Sequence, residues 1–289
     1  MTHARPGATM THARHGATRT HARHGATTTR GRFVRIAMLA GFAFLWLPIG
    51  LLVAYAFSAD RIPFQWGGFS LRWFAALAAN ERLVEAALRS LRIAAGAATL
   101  AVALGGVAGW ALARFGPFRG RAAFGALIGA PLVLPEVVTG LSLLLLFVAL
   151  EGLTGWPAGR GATTVLLAHA TLGAAFVAVV VQARLAETDR SLEEAAMDLG
   201  ATPLAAFRTI TLPLVAPALA AGWLLAFTLS LDDVVIASFV SGPAGTTLPM
   251  ELFSMLRRGL TPEVNALGAV VVLGVGAVLA VVALLLRPR

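Results

Sequence analysis

Apolar runs of about twenty residues recur along this chain, and they constrain its fold more than any other feature. They lie near residues 34–57, 91–115, 124–150, 163–185, 214–240 and 266–286. At about 1.5 Å per residue, such a run crosses a hydrocarbon core about 30 Å thick as a helix that satisfies its own backbone. Composition agrees: 58% of residues are hydrophobic and 13% charged, where soluble domains have about 45–50% and about 25%. The expected fold class is an all-α polytopic membrane protein with about six transmembrane helices. The first run is too long for a secretory signal and has no small-residue cleavage site. Pro48 predicts a kink in it, and Pro131 and Pro135 predict a disruption in the third run.

The net charge of +9 does not indicate nucleic-acid binding, because of where it falls. Seven arginines precede the first acid, Asp60, and the rest of the chain is nearly balanced. With the N-terminus inside, fifteen arginines fall on the cytoplasmic side and eight on the other. The positive-inside rule then places both termini in the cytoplasm. All 23 basic residues are arginine. A P-loop needs a lysine on the nucleotide phosphates, so ATP, if it drives this system, must bind another subunit. No cysteine is present, which excludes disulfides, thiolate-held zinc and thiol nucleophiles.

Residues 1–32 are expected to be a disordered basic tail. A degenerate nine-residue repeat starts at Thr2, Thr11 and Thr20, each time Thr-His-Ala-Arg, and holds five of the six histidines. His12, His15, His21 and His24 leave a metal-binding tail open, but the composition alone is that of a repeat expansion. Residues 33–289 form the expected membrane domain. The long segment 58–90, carrying Trp66 and Trp73, is expected to contain a helix lying at the outer interface.

One connection stands apart. Residues 186–213, between the fourth and fifth runs, are rich in acids and helix formers. They predict a helix–turn–helix outside the bilayer: Ser191 as N-cap with Glu194 three residues on, Gly200 ending the first helix, and Thr202 capping a second with Pro203 at its first position. Ala205, Ala206, Phe207 and Arg208 make the second helix a surface suited to a groove in a partner. Glu194-Ala195-Ala196, Gly200, Ile210, Leu212 and Pro213 match the spaced motif Glu-Ala-Ala-x3-Gly-x9-Ile-x-Leu-Pro at every position.

On that motif the chain resembles the permease subunits of ABC importers. Ser230-Leu-Asp-Asp233 with the residues to Pro249, Leu134-Pro-Glu-Val-Val-Thr-Gly140, and Gly68-Phe-Ser-Leu-Arg-Trp73 resemble the second permease of spermidine/putrescine importers. The resemblance spans 33–289 and implies a type I importer fold in a bacterial inner membrane. It implies that 194–213, with Phe207 and Arg208, seats in a cytoplasmic ATPase and transmits nucleotide-driven closure. It further implies two ATPase subunits, a homologous second permease and an extracytoplasmic binding protein as partners. No catalytic residue, cofactor or metal belongs to this reading.

Three acids fall inside apolar runs: Glu136, Asp232 and Asp233. An unpaired acid at the membrane centre costs about 2.5–3.5 kcal/mol on insertion scales, so these are expected to face an aqueous interior. No basic residue lies in the same runs, and such carboxylates favour a cation such as a polyamine. For Asp232 and Asp233 the alternatives are hydration at the outer interface or capping of a broken helix. His169 reads as a packed or hydrogen-bonded polar residue. Import of ferric iron, a phosphonate or an amino-acid derivative, and proton-coupled secondary transport, stand as alternatives. An intramembrane enzyme does not fit, since His169 is the sole His or Lys at membrane depth.

Overall fold

The computed structural model describes residues 25–285 apart from Pro63, Phe64, Ala244 and Leu260, with side chains described between 32 and 277. By internal contacts the chain divides into two units, 1–52 and 53–289. The repeat tail through residue 24 lies outside the described residues. Helix α1, Gly25–Ala56, begins inside the segment expected to be tail and runs on through Pro48. No proline lies between residue 25 and Pro48 to stop helix propagation toward the N-terminus. In the first unit, Phe33, Phe42, Phe44 and Trp46 are all exposed, the pattern of a helix that is apolar all round.

The second unit contains the rest of the described helices: α2 (Arg72–Ala79), α3 (Glu81–Arg114), α4 (Arg121–Val133), α5 (Glu136–Thr154), α6 (Ala162–Ala186), α7 (Ser191–Asp198), α8 (Pro203–Ala206), α9 (Leu212–Asp232), α10 (Val235–Val240), α11 (Leu248–Arg258) and α12 (Pro262–Leu285). A π-helical turn, Phe207–Thr211, joins α8 to α9. Among the described residues, five helical stretches are long and apolar enough to cross a membrane: Arg32–Ala56, Glu81–Arg114, Glu136–Thr154, Ala162–Ala186 and Pro203–Asp232. The sixth expected span corresponds to α12, whose 24 residues reach about 36 Å. Within 58–90 the structure places the short helix α2, where the Arg72 guanidinium lies 4.2 Å over the Trp73 ring.

Two spans are not continuous helices, the third at the disruption its prolines predict. The third is interrupted at Leu134 and Pro135, between α4 and α5. Leu134 is extended, with ψ 140°, the conformation a following proline imposes. Pro131 sits inside α4 without ending it. The fifth is interrupted after Asp232, where Asp233 and Val234 leave the helix before α10 starts.

The core is a seam of small residues between α3 and α6. Ala94, Ala97, Ala98, Ala101, Gly105, Ala108 and Gly109 recur at three- and four-residue spacing on the buried face of α3. Opposite them lie Ala168, Ala174, Ala175, Val177, Ala178 and Val181 of α6. A Cβ at Gly105 would collide with the Ala174 carbonyl, and one at Gly109 would stand 2.6 Å from the Ala178 carbonyl oxygen. The backbones therefore touch, the arrangement by which membrane helices gain dispersion energy that lipid exposure cannot supply. The α9 face formed by Val215, Ala218, Gly222, Ala226 and Ser230 completes this core. Gly173 marks the three-helix junction, since a Cβ there would meet Ala101 of α3 at 2.9 Å and Ala226 of α9 at 3.0 Å. A second cluster joins Ile93, Phe147, Val165 and Ala168 to Ile236, Ala237 and Val240 of α10.

Candidate functional site

The segment from Ala186 to Pro213 folds as a two-helix hook, and short-range sequence builds most of it. Asp189 accepts a hydrogen bond from the Ser191 N–H at 2.9 Å, and that bond holds its carboxyl below the ordinary carboxylate range. The capping box expected of Ser191 and Glu194 does not form. Ser191 is already inside α7, and Asp189, two residues earlier, takes the free donor. Glu194 instead reaches back to Arg190 at 3.2 Å, with both side chains more than half exposed.

Gly200 ends α7 with φ +92°. Its N–H bonds the Met197 carbonyl at 2.9 Å and the Ala201 N–H bonds Ala196 at 3.0 Å, the paired bonds of a Schellman turn. The Thr202 hydroxyl then accepts from the Ala205 N–H at 3.3 Å, with Pro203 opening α8.

The outward surface of the hook differs from the one expected. Ala206 is buried, and the Phe207 ring packs edge-on against Trp110 of α3 at 5.2 Å between centroids. Leu199, 91% exposed, and Leu204, 57% exposed, carry the outward apolar surface with Leu192 and Met197. Ala195, Arg208, Leu212 and Pro213 are also exposed, whereas Ala196 and Ile210 are half-buried. An apolar cavity of about 640 Å³ lies behind the hook, between Trp110, Val107, Leu204, Phe207, Val215 and Leu219. No acid lines it, so it is no place for a cation.

The base of the hook is polar and enclosed. Arg114, at the end of α3, donates to Glu193 Oε1 at 3.0 Å, and the two side chains are 10% and 18% exposed. The same guanidinium donates to the Leu185 and Thr188 carbonyls at the end of α6. Thr211, in the π turn, donates its hydroxyl to Glu193 Oε1 at 2.9 Å. Sequence reasoning passed over Arg114, Glu193 and Thr211; the one available signal was an acid pair, Glu193-Glu194, of which a helix can aim only one inward.

The membrane acids are placed in three different ways. Glu136 is exposed at the first turn of α5, where the break at Pro135 leaves backbone N–H groups without helical partners. Asp232 is exposed at the end of α9. Asp233 is enclosed: its carboxylate accepts from the Ile236 N–H at 3.3 Å and the Ala237 N–H at 2.7 Å, capping α10. His169 of α6 places one ring nitrogen 3.1 Å from Asp233 Oδ2 and the other 2.6 Å from Ser230 Oγ. The His169 and Asp233 side chains are 2% and 7% exposed.

No basic residue lies in the acids' own spans, but α6 brings His169 against Asp233. Ser230, His169 and Asp233 stand in the order of a hydrolase triad, yet Ser230 is buried and both Asp233 oxygens serve the α10 backbone, so the trio has the geometry of a structural tie.

Residues 101–289 match the family described as binding-protein-dependent transport system inner membrane component. The chain belongs to that family. It is 56% identical over 243 residues to the putrescine transport system permease protein PotI of Escherichia coli (strain K12), covering 84% of this chain and 86% of that protein. It is 42% identical over 235 residues to the spermidine/putrescine transport system permease protein PotC of Haemophilus influenzae (strain ATCC 51907 / DSM 11121 / KW20 / Rd), covering 81% and 89%. In fold it is similar to a chain of a bacterial ABC transporter that imports the acidic polysaccharide alginate, with TM-score 0.64 at 16% identity over 93% of this chain and 98% of that one. A chain of a bacterial alginate transporter in complex with an alginate pentasaccharide-bound periplasmic protein gives TM-score 0.58 at 16% identity, over 87% and 94%. The chain is thus a multi-pass inner-membrane permease subunit of an ABC importer, with the type I permease fold.

Proposed function

We propose that this permease carries a polyamine, putrescine or spermidine, delivered by an extracytoplasmic binding protein and driven by ATP hydrolysed on partner subunits. The observation that carries the proposal is the hook at 186–213: a protruding, locally capped pair of helices with apolar side chains turned outward. Such a surface needs a partner to cover it, and the chain has no lysine with which to form a P-loop of its own. Two ATPase subunits and a homologous second permease complete the assembly. Both termini and the hook lie in the cytoplasm, in keeping with the fifteen-to-eight division of arginines.

The polyamine reading rests on the named relatives and on charge. Glu136 and Asp232 are exposed carboxylates within spans, and a di- or polycation gains from unpaired carboxylates in a low-dielectric path. The broken ends of α4 and α9 add backbone carbonyls with no helical partner, which suit an ammonium ligand. Asp233, engaged by His169 and α10, holds the shape of that region. In the cycle, ATP binding closes the ATPases and draws the hooks together. The bundle opens outward, takes substrate from the binding protein, and returns inward after hydrolysis.

Uptake of labelled putrescine and spermidine into proteoliposomes holding the whole transporter tests this. Saturable, ATP-dependent uptake of either amine supports it. Competition by ferric iron, a phosphonate or an amino acid but not by polyamines overturns the substrate, and uptake by this chain without an ATPase overturns the class.

A further inference from the structure

The two acids at the head of α7 point in different directions. Glu194 lies in solvent beside Arg190, whereas Glu193 turns inward to Arg114 and Thr211. Among the described residues, the hydrogen bonds and ion pairs that join α7 to a long helix run through Glu193, since those of Asp189 and Arg190 stay inside the loop. Arg114 is a branch point. Its Nε meets Glu193, and its two terminal nitrogens meet the Leu185 carbonyl at 3.3 Å and the Thr188 carbonyl at 3.4 Å. One carboxylate and one guanidinium thus tie α7 to the ends of α3 and α6 and, through Thr211, to the turn that starts α9.

A buried pair of this kind is a poor source of stability, because desolvation offsets most of its attraction. Its planar, multiply bonded geometry instead fixes position, and a shift of α7 cannot be absorbed by side-chain rotation without leaving a charge unpaired. The three helices it grips are the ones packed along the small-residue core. Trp110, one turn before Arg114 on the same face of α3, packs on Phe207 and adds an apolar contact to the same node.

We propose that Glu193, held by Arg114 and Thr211, is the positioning residue that delivers movement of the hook to α3, α6 and α9. The proposal rests on the reading that an ATPase seats on the hook. Glu193 touches no nucleotide and no substrate; it sets how much of the ATPase stroke reaches the membrane helices.

The test uses the complete transporter in proteoliposomes. Two nearly isosteric variants are compared: Glu193→Gln, which removes the charge, and Thr211→Val, which removes only the branch to α9. ATPase co-purification, basal hydrolysis, hydrolysis stimulated by loaded binding protein, and substrate imported per ATP are measured together. Both variants should retain the ATPase and hydrolyse at the basal rate, while import per ATP falls about tenfold in Glu193→Gln and less in Thr211→Val. Normal import per ATP in both variants overturns the proposal. So does loss of the ATPase or of the folded complex in both, because the node is then only structural. A Glu194→Arg, Gly200→Val chain separates the two readings: undiminished ATPase co-purification there overturns the docking reading instead.

Discussion

A methyl group added at Gly109 tests whether α3 and α6 are in backbone contact. The new Cβ would stand 2.6 Å from the Ala178 carbonyl oxygen and 3.0 Å from Val181 Cβ, where ordinary contact begins at 3.4 Å. The nearer obstacle is backbone, so no rotamer change relieves it, and the helices must part locally by about 0.8 Å. Overpacking of this kind costs about 1–3 kcal/mol, and the better helix propensity of alanine returns about 0.5–1 kcal/mol. Gly109→Ala should therefore destabilise the chain by about 1–2 kcal/mol, up to a thirtyfold shift in the folding equilibrium. Gly105→Ala should cost more, since its Cβ would be driven into the Ala174 carbonyl. Gly129→Ala, with nothing within 4 Å of the added carbon, is the control and should be neutral or stabilising. Unfolding in mixed detergent micelles, followed by tryptophan fluorescence, reads all three. Equal or greater stability of Gly109→Ala, alongside an unchanged Gly129→Ala, would refute the close seam.

Other expectations concern the hook and the polar tie. Gly200→Ala places a side chain at φ +92°, costing about 1–2 kcal/mol; uptake should fall while membrane insertion, measured by fractionation, stays normal. Thr202→Ala removes the cap of α8 and should cost about 1 kcal/mol, seen as faster proteolysis within 186–213. Asp233→Ala uncaps α10 and leaves His169 without one partner. It should lower thermal stability by about 1–3 kcal/mol, more than Asp232→Ala, whose side chain is exposed. Glu194→Gln breaks only a solvent-exposed pair and should change the melting temperature very little, so any loss of uptake in that variant reports on docking.

Much of this architecture was written in short-range patterns. The membrane helices follow from apolar runs, and the break at Pro135 follows from what proline does to the residue before it. Gly200, Thr202 and Pro203 act within a few residues of themselves, so the turn between α7 and α8 could be read directly. The break at Asp233 stood only as one alternative, an acid capping a broken helix. Neither proline nor glycine lies between Ser230 and Val235, and the partner that makes the site enclosed, His169, is 64 residues away in sequence. The roles of Glu193 and Glu194 were equally hidden, because one residue of rotation on α7 decides which acid meets Arg114. Ser191 misled for a local reason: Asp189 accepts from the Ser191 N–H that the Glu194 side chain would have taken in a capping box.

The two interrupted spans are neighbours. A Cβ on Gly140, in the second turn of α5, would lie 3.3 Å from the Ile236 Cα and 2.9 Å from the Phe239 ring of α10. The joint at Pro135 and the joint at Asp233 therefore sit side by side, while α3 and α6 pass through the same bundle without interruption. Among the described spans of this core, two are unbroken rails and two are jointed arms. If this core bends, the two joints have fewer helical hydrogen bonds to break than α3 or α6, and they lie on the side that carries Glu136 and Asp232.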